Sequence, residues 1–258
     1  MSKRRKPKTV RLTRAKAIER LDAMAHAVCE EADFAARVNA AFEGGNDAIH
    51  QFKIEHGRSP AFSGAQCMNT LQTAALFTIA STLGRLFDPG SATRHPNERD
   101  VASIPLVLHL LRQKRCQDEL AERARHWLFE MPEMAEINAE TVLTAADEAI
   151  EAYASLRRSP KGQRALRVLM RFRHDHLAHR LLPDLQRGQL RDTYTTVGEI
   201  WRLLDTALIL ADKLSLAVSG DGRDARDMHH ARHREARAVW DYLMTDKPEC
   251  ASASFVPD

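Results

Sequence analysis

The run Leu71-Gln72-Thr73-Ala74-Ala75-Leu76-Phe77-Thr78-Ile79-Ala80-Ser81-Thr82-Leu83-Gly84-Arg85-Leu86-Phe87-Asp88-Pro89-Gly90 decides the fold class. Leu71, Ala74, Ala75, Leu76, Ile79, Leu83 and Leu86 recur at helical spacing, and Asp88-Pro89-Gly90 is a combination that stops a helix. The spacing predicts a core helix over about residues 65–87, with its apolar stripe buried along its length. Outward from this run the same period dominates, and alternation of apolar and polar residues over five or more positions is scarce. Before it, helices are expected over about 13–42, with Gly44-Gly45 as the stop, and over 46–56. After a polar loop over 91–100, one is expected over 104–129, where Pro105 suits a first turn that has no N–H to lose. Others are expected over 133–156, from Ser159-Pro160 to a close or kink at Pro183, over 193–218 and over 223–244. The expectation is an all-α protein, a bundle of seven or eight helices.

Of the 258 residues, 44% are apolar and 28% charged, the balance of a globular chain. No run of eighteen uncharged apolar residues is present, so no membrane span is expected, and no apolar segment behind the N-terminal charges suggests a secretory signal. A cytoplasmic protein is the default expectation. Cys29, Cys67, Cys116 and Cys250 are scattered without CxxC spacing, so neither a disulfide framework nor a zinc site is expected. The net charge of +3 is unevenly placed. Residues 1–20 carry nine Lys or Arg against Glu19, and the remainder is acidic. Lys3, Arg4, Arg5, Lys6 and Lys8 form a basic arm that could bind phosphates without sequence preference, or serve as a solubilising tail. The expected partition is a basic arm over 1–14, a helical domain over 15–220, and a basic C-terminal helix and tail over 221–258.

The chemistry is concentrated in Arg173-His174-Asp175-His176-Leu177-Ala178-His179. If 166–182 is a helix, Asp175 and His179 are neighbours four apart, and the carboxylate could orient the imidazole. Arg173 and His176, three apart, are also adjacent. Arg173 and His179 are six apart, about 120° around an ideal helix, so they meet at one phosphate if the helix bends, the arginine reaches round, or a second chain completes the site. Imidazole can move the proton of a ribose 2′-hydroxyl or a leaving oxygen, and a guanidinium can hold the scissile phosphate, so these residue types suit RNA cleavage without a metal. Spacing also allows a solvated face of ion pairs, or zinc on His176 and His179, for which no third ligand is identifiable. A second cluster, His229, His230 and His233 among Arg226, Arg232, Arg234 and Arg237, reads as a salt-bridged surface, an RNA-facing surface or a metal pair.

Phe172-Arg173-His174-Asp175-His176-Leu177-Ala178-His179-Arg180 resembles the signature of the HEPN superfamily: an Arg, a polar residue, a short spacer, then Ala-His. Leu83-Gly84-Arg85-Leu86-Phe87-Asp88-Pro89 is similar to the arginine–leucine–x–aspartate–proline helix end of HEPN proteins like the abortive-infection protein of the U type. The order and separation of the two elements also fit, and the resemblance spans roughly residues 15–218. It implies a HEPN-like helical bundle that pairs as a homodimer, with two motifs facing one another in a composite RNA cleft. It implies a toxin-like or phage-defence ribonuclease, in some members working with an antitoxin. Arg173 would then bind phosphate, His179 would be the general acid or base, and His174 a polar support. Asp175 and His176 fall in the variable spacer and keep only the supporting roles that helix geometry gives them. Arg85 and Asp88 are expected to be structural, an ion pair or cap. No cofactor is expected. The rival to a metal-independent endoribonuclease is a non-catalytic helical module that binds RNA or a partner protein.

Overall fold

The computed structural model describes residues 11–57, 65–90, 94–128, 130–173, 197–222 and 225–244. Among these, all regular structure is helical: α1 (Arg14–His56), α2 (Ala65–Leu86), α3 (Ile104–Leu111), α4 (Lys114–Arg125), α5 (Ala135–Arg158), α6 (Pro160–Phe172), α7 (Val197–Ser219) and α8 (Ala225–Met244), with single 3-10 turns at Pro96–Glu98 and Pro132–Met134. The protein is therefore all-α, as the helical periods require. None of the described helices is long and apolar enough to cross a membrane. The chain divides into two compact units, Met1–Ala36 with Ile79–Ala225, and Arg37–Thr78 with Arg226–Asp258.

The larger unit is organised on α5, which packs against α4 and α7 and, less extensively, α6. The cause is visible in its sequence. Ala139, Val142, Ala146, Ala149, Tyr153 and Leu156 are buried at alternating steps of three and four, and four of the six are alanine or valine. Such a narrow stripe lets neighbouring helices approach closely. Larger side chains fill the space from the other side: Leu203, Leu204, Leu210 and Leu214 of α7, and Leu120 of α4, are buried. Each such side chain removed from water contributes about 1.5–3 kcal/mol before the cost of ordering it. The first half of α1 buries Ala17, Ile18, Leu21, Met24, Ala25, Val28 and Ala32 on the same period.

α5 passes into α6 through one residue. Ser159 is extended (φ −71°, ψ 135°), its Oγ accepts the Gly162 N–H, and Pro160 opens the next helix. Its hydroxyl thereby satisfies one of the orphan donors of the first turn. A Cβ at Gly162 would overlap the Leu156 carbonyl oxygen, so glycine is what permits so tight a reversal.

In the smaller unit, the second half of α1 packs against α8. Gly44 and Gly45 do not stop α1, which corrects the expectation of two helices there: α1 runs unbroken to His56. A Cβ at Gly44 would lie 2.9 Å from the Arg237 nitrogen, and one at Gly45 3.0 Å from Trp240 Nε1. The pair thus admits α8 to the surface of α1, and Trp240 Nε1 donates to the Ala41 carbonyl at 2.9 Å. The true stop is Gly57, whose φ of 64° is the left-handed helix-ending conformation. Gly220, φ 77°, ends α7 in the same way.

Two further expectations are corrected. The helix read over 104–129 is broken, because Gln113 is extended (φ −80°, ψ 118°) between α3 and α4. Its side-chain oxygen accepts from Arg115 Nε at 3.0 Å, and Arg115 also donates to the Leu12 carbonyl, so one local and one tertiary contact hold the break. The stripe of α2 is buried at Ile79, Leu83 and Leu86, but Leu71 and Ala74 are exposed, and Ala75 and Leu76 half-buried.

Candidate functional site

The last turn of α2 is anchored by burial of Leu83, Leu86 and Phe87. Beyond it the chain turns sharply. The Asp88 N–H donates to the Arg85 carbonyl at 3.2 Å, and Asp88 Oδ1 accepts the Gly90 N–H at 2.8 Å. Gly90 has φ 74°, which any side chain would resist, and a Cβ there would lie 2.7 Å from Arg99 Cδ. Arg99 donates to the Pro89 and Arg94 carbonyls, the latter at 3.0 Å. Arg20 of α1 donates to the Asn97 carbonyl at 2.9 Å and to that of Arg99. Two arginines thus clamp the loop that carries Asp88.

Arg173 arrives from α6. Gly162, Ala165 and Leu169 are its buried residues. Four positions on from Leu169, Arg173 continues the same inward stripe, still helical (φ −58°, ψ −46°), its N–H donating to the Leu169 and Met170 carbonyls. A cation delivered to the inner face of a helix needs a counter-charge. Asp88 supplies it: Arg173 Nη1 pairs with Asp88 Oδ2, with 40% of the arginine side chain and 19% of the aspartate side chain exposed. The aliphatic part of Arg173 lies over Gly84, where a Cβ would stand 3.4 Å from Arg173 Cδ.

The two short elements singled out in the sequence therefore meet, Asp88 and Gly84 from one and Arg173 from the other. Asp88 and Arg173 are 85 residues apart, and neither motif by itself points to the other as its partner. Arg85 points elsewhere, to Glu31 Oε2 at 2.8 Å and Thr82 Oγ1 at 3.2 Å. His174, Asp175, His176 and His179 lie outside the described residues, as do Lys3, Arg4, Arg5, Lys6 and Lys8.

The second histidine cluster is engaged with carboxylates of α1. His229 Nε2 lies 3.1 Å from Glu43 Oε2, and His233 Nε2 lies 3.0 Å from Asp47 Oδ2. Among the described residues no group of three or more His, Cys, Asp or Glu is placed to hold a metal ion. Elsewhere, burial and then the positive surroundings of His95, Arg112 and Arg99 hold His109 below the ordinary histidine range. Burial pushes the Cys116 thiol up, away from the reactive thiolate.

No curated protein and no solved structure matches the chain. The HEPN_AbiU2 family model (AbiU2) matches residues 18–239, from early in α1 into α8, taking in both the Asp88 turn and Arg173. The chain belongs to the HEPN_AbiU2 family.

Proposed function

We propose that the protein is a metal-independent endoribonuclease of a phage-defence or toxin–antitoxin type, acting as a homodimer. Family membership supports a ribonuclease and defence-related role in general. The observation that carries the finer reading is the meeting of Asp88 and Arg173, which leaves a fixed guanidinium partly open to solvent at the head of the Arg-to-His run.

In this reading Arg173 binds the scissile phosphate. A guanidinium has five N–H donors in a rigid fork, so pairing with one carboxylate oxygen leaves donors for phosphate oxygens. His179 is the general acid or base. The 2′-hydroxyl loses its proton as its oxygen bonds to phosphorus, the bond from phosphorus to the 5′-oxygen breaks, and that oxygen takes up a proton. The products are a 2′,3′-cyclic phosphate and a 5′-hydroxyl. The nucleophile belongs to the RNA, so the chemistry requires no metal-activated water. His174 supports the motif, and Asp175 and His176 assist from the spacer. In a dimer Arg173 of one chain works beside His179 of the other, so the two need not meet within one chain. The arm of Lys3, Arg4, Arg5, Lys6 and Lys8 adds sequence-independent attraction to RNA. A partner protein of the antitoxin class would hold the activity in check, and the expected location is the cytoplasm.

The test is incubation with RNA in excess EDTA, followed by analysis of the ends. Cleavage that leaves cyclic phosphates, and that fails on 2′-O-methyl RNA, is the expected result. Loss of cleavage in EDTA, or products with 5′-phosphates, contradicts the mechanism. Binding without cleavage favours a non-catalytic RNA-binding module.

A further inference from the structure

We infer that Asp88 is a positioning residue for Arg173, setting the direction in which its guanidinium is offered to an RNA phosphate; the inference rests on the ribonuclease reading above. An arginine side chain carries about 2 kcal/mol of rotamer entropy, and one free in solution would lose that on meeting each phosphate. Here the cost is met on folding. The stem lies over Gly84, with its Cδ 3.4 Å from where a Cβ would stand, an ordinary packing distance. Its head is pinned through Nη1 to Asp88 Oδ2.

Asp88 is also held by contacts that do not involve Arg173. Its other carboxylate oxygen accepts the Gly90 N–H, and Pro89 beside it is held by Arg99. The two oxygens thus have separate duties, one to the turn and one to the arginine. An aspartate serving the turn alone would need no arginine at Oδ2, and an arginine serving solubility alone would not occupy the inward stripe of α6. Arg85, the other arginine of the α2 end, is drawn off to Glu31, so Asp88 acts on Arg173 rather than on its sequence neighbour.

Asp88→Asn separates the two duties. The amide oxygen can still accept from Gly90, while the amide nitrogen meets the guanidinium donor to donor. Cleavage of unmodified RNA and affinity for non-cleavable 2′-O-methyl RNA are measured for wild type, Asp88→Asn, Arg173→Ala and the double variant, with Asp88→Glu as a second probe that keeps the charge. Asp88→Asn is expected to lower kcat/KM about ten-fold or more, since small misplacements of a catalytic group cost this much. It should weaken the affinity a few-fold, as expected for a disturbed charge-assisted contact. Asp88→Glu should fall between wild type and Asp88→Asn. In the Arg173→Ala background Asp88→Asn should cost nothing further, a coupling that a merely structural aspartate would not show. Activity equal to or above wild type in Asp88→Asn, or the same loss in both backgrounds, overturns the inference. If the wild-type protein binds RNA without cleaving it, the ribonuclease reading fails, and the affinity cycle alone decides the role of Asp88. If it binds no RNA, both fail.

Discussion

Replacing His179 with alanine is expected to reduce RNA cleavage by about 10²–10⁴-fold, the range over which a positioned general acid or base contributes. Arg173→Ala is expected to cost about 10²–10³-fold, as loss of a donor aimed at developing charge does. The Arg173→Ala loss should not come from unfolding. The Arg173–Asp88 pair is partly exposed, and a pair of that kind contributes on the order of 1 kcal/mol or less. Arg173→Lys should recover little, because an ammonium does not reproduce the planar fork that binds two phosphate oxygens while one nitrogen pairs with Asp88. Single-turnover cleavage, with melting temperature as the control, checks all three variants. An Arg173→Ala protein that cleaves at the wild-type rate would remove the phosphate-binding role.

Gly162→Ala is the substitution expected to damage the fold most. The added carbon would overlap the Leu156 carbonyl oxygen and stand 2.6 Å from Ser159 Oγ. Neither is the far end of a flexible side chain. One is backbone, and the other is the atom that caps α6. Overpacking costs about 1–3 kcal/mol and a lost cap about 1 kcal/mol, so a loss of about 3 kcal/mol is expected. In a chain of this size that is a fall of roughly 10 °C in melting temperature. Thermal unfolding followed by circular dichroism reads it directly, and a change of under about 2 °C would show that the turn can open without cost. The effect should extend to function, because a shifted α6 moves Arg173 with it.

The helical class follows from periods strong enough to survive any context: α5 and α7 lie within a few residues of where their apolar spacing puts them. The Gly44-Gly45 misreading shows the limit. Glycine stops a helix by adopting positive φ or serves one by admitting a neighbour, and the choice depends on whether something as distant as Trp240 packs there. The break at Gln113 has no proline or glycine to announce it, since Arg115 and the distant Leu12 carbonyl hold it. The exposed upper stripe of α2 has the same cause, because periodicity shows which residues share a face and not whether that face is covered.

At the site, the two elements were legible separately through their resemblance to a family signature. Their meeting was not. One signal was available, since Gly162, Ala165, Leu169 and Arg173 form one stripe of α6, which puts a charged residue on an apolar face. An arginine so placed demands a buried-side carboxylate, and Asp88, next to a proline stop, was already singled out. What spacing could not supply is the fold that brings residues 88 and 173 together.

The shared site makes the most direct demand on this account. Arg173→Ala and His179→Ala chains, each inactive alone, should regain cleavage in EDTA when co-expressed and purified together. In a mixed dimer one site would pair the intact Arg173 of one chain with the intact His179 of the other, restoring roughly a quarter of wild-type activity in a statistical mixture. A co-expressed preparation as inactive as its parents would contradict a site composed from two copies of the chain.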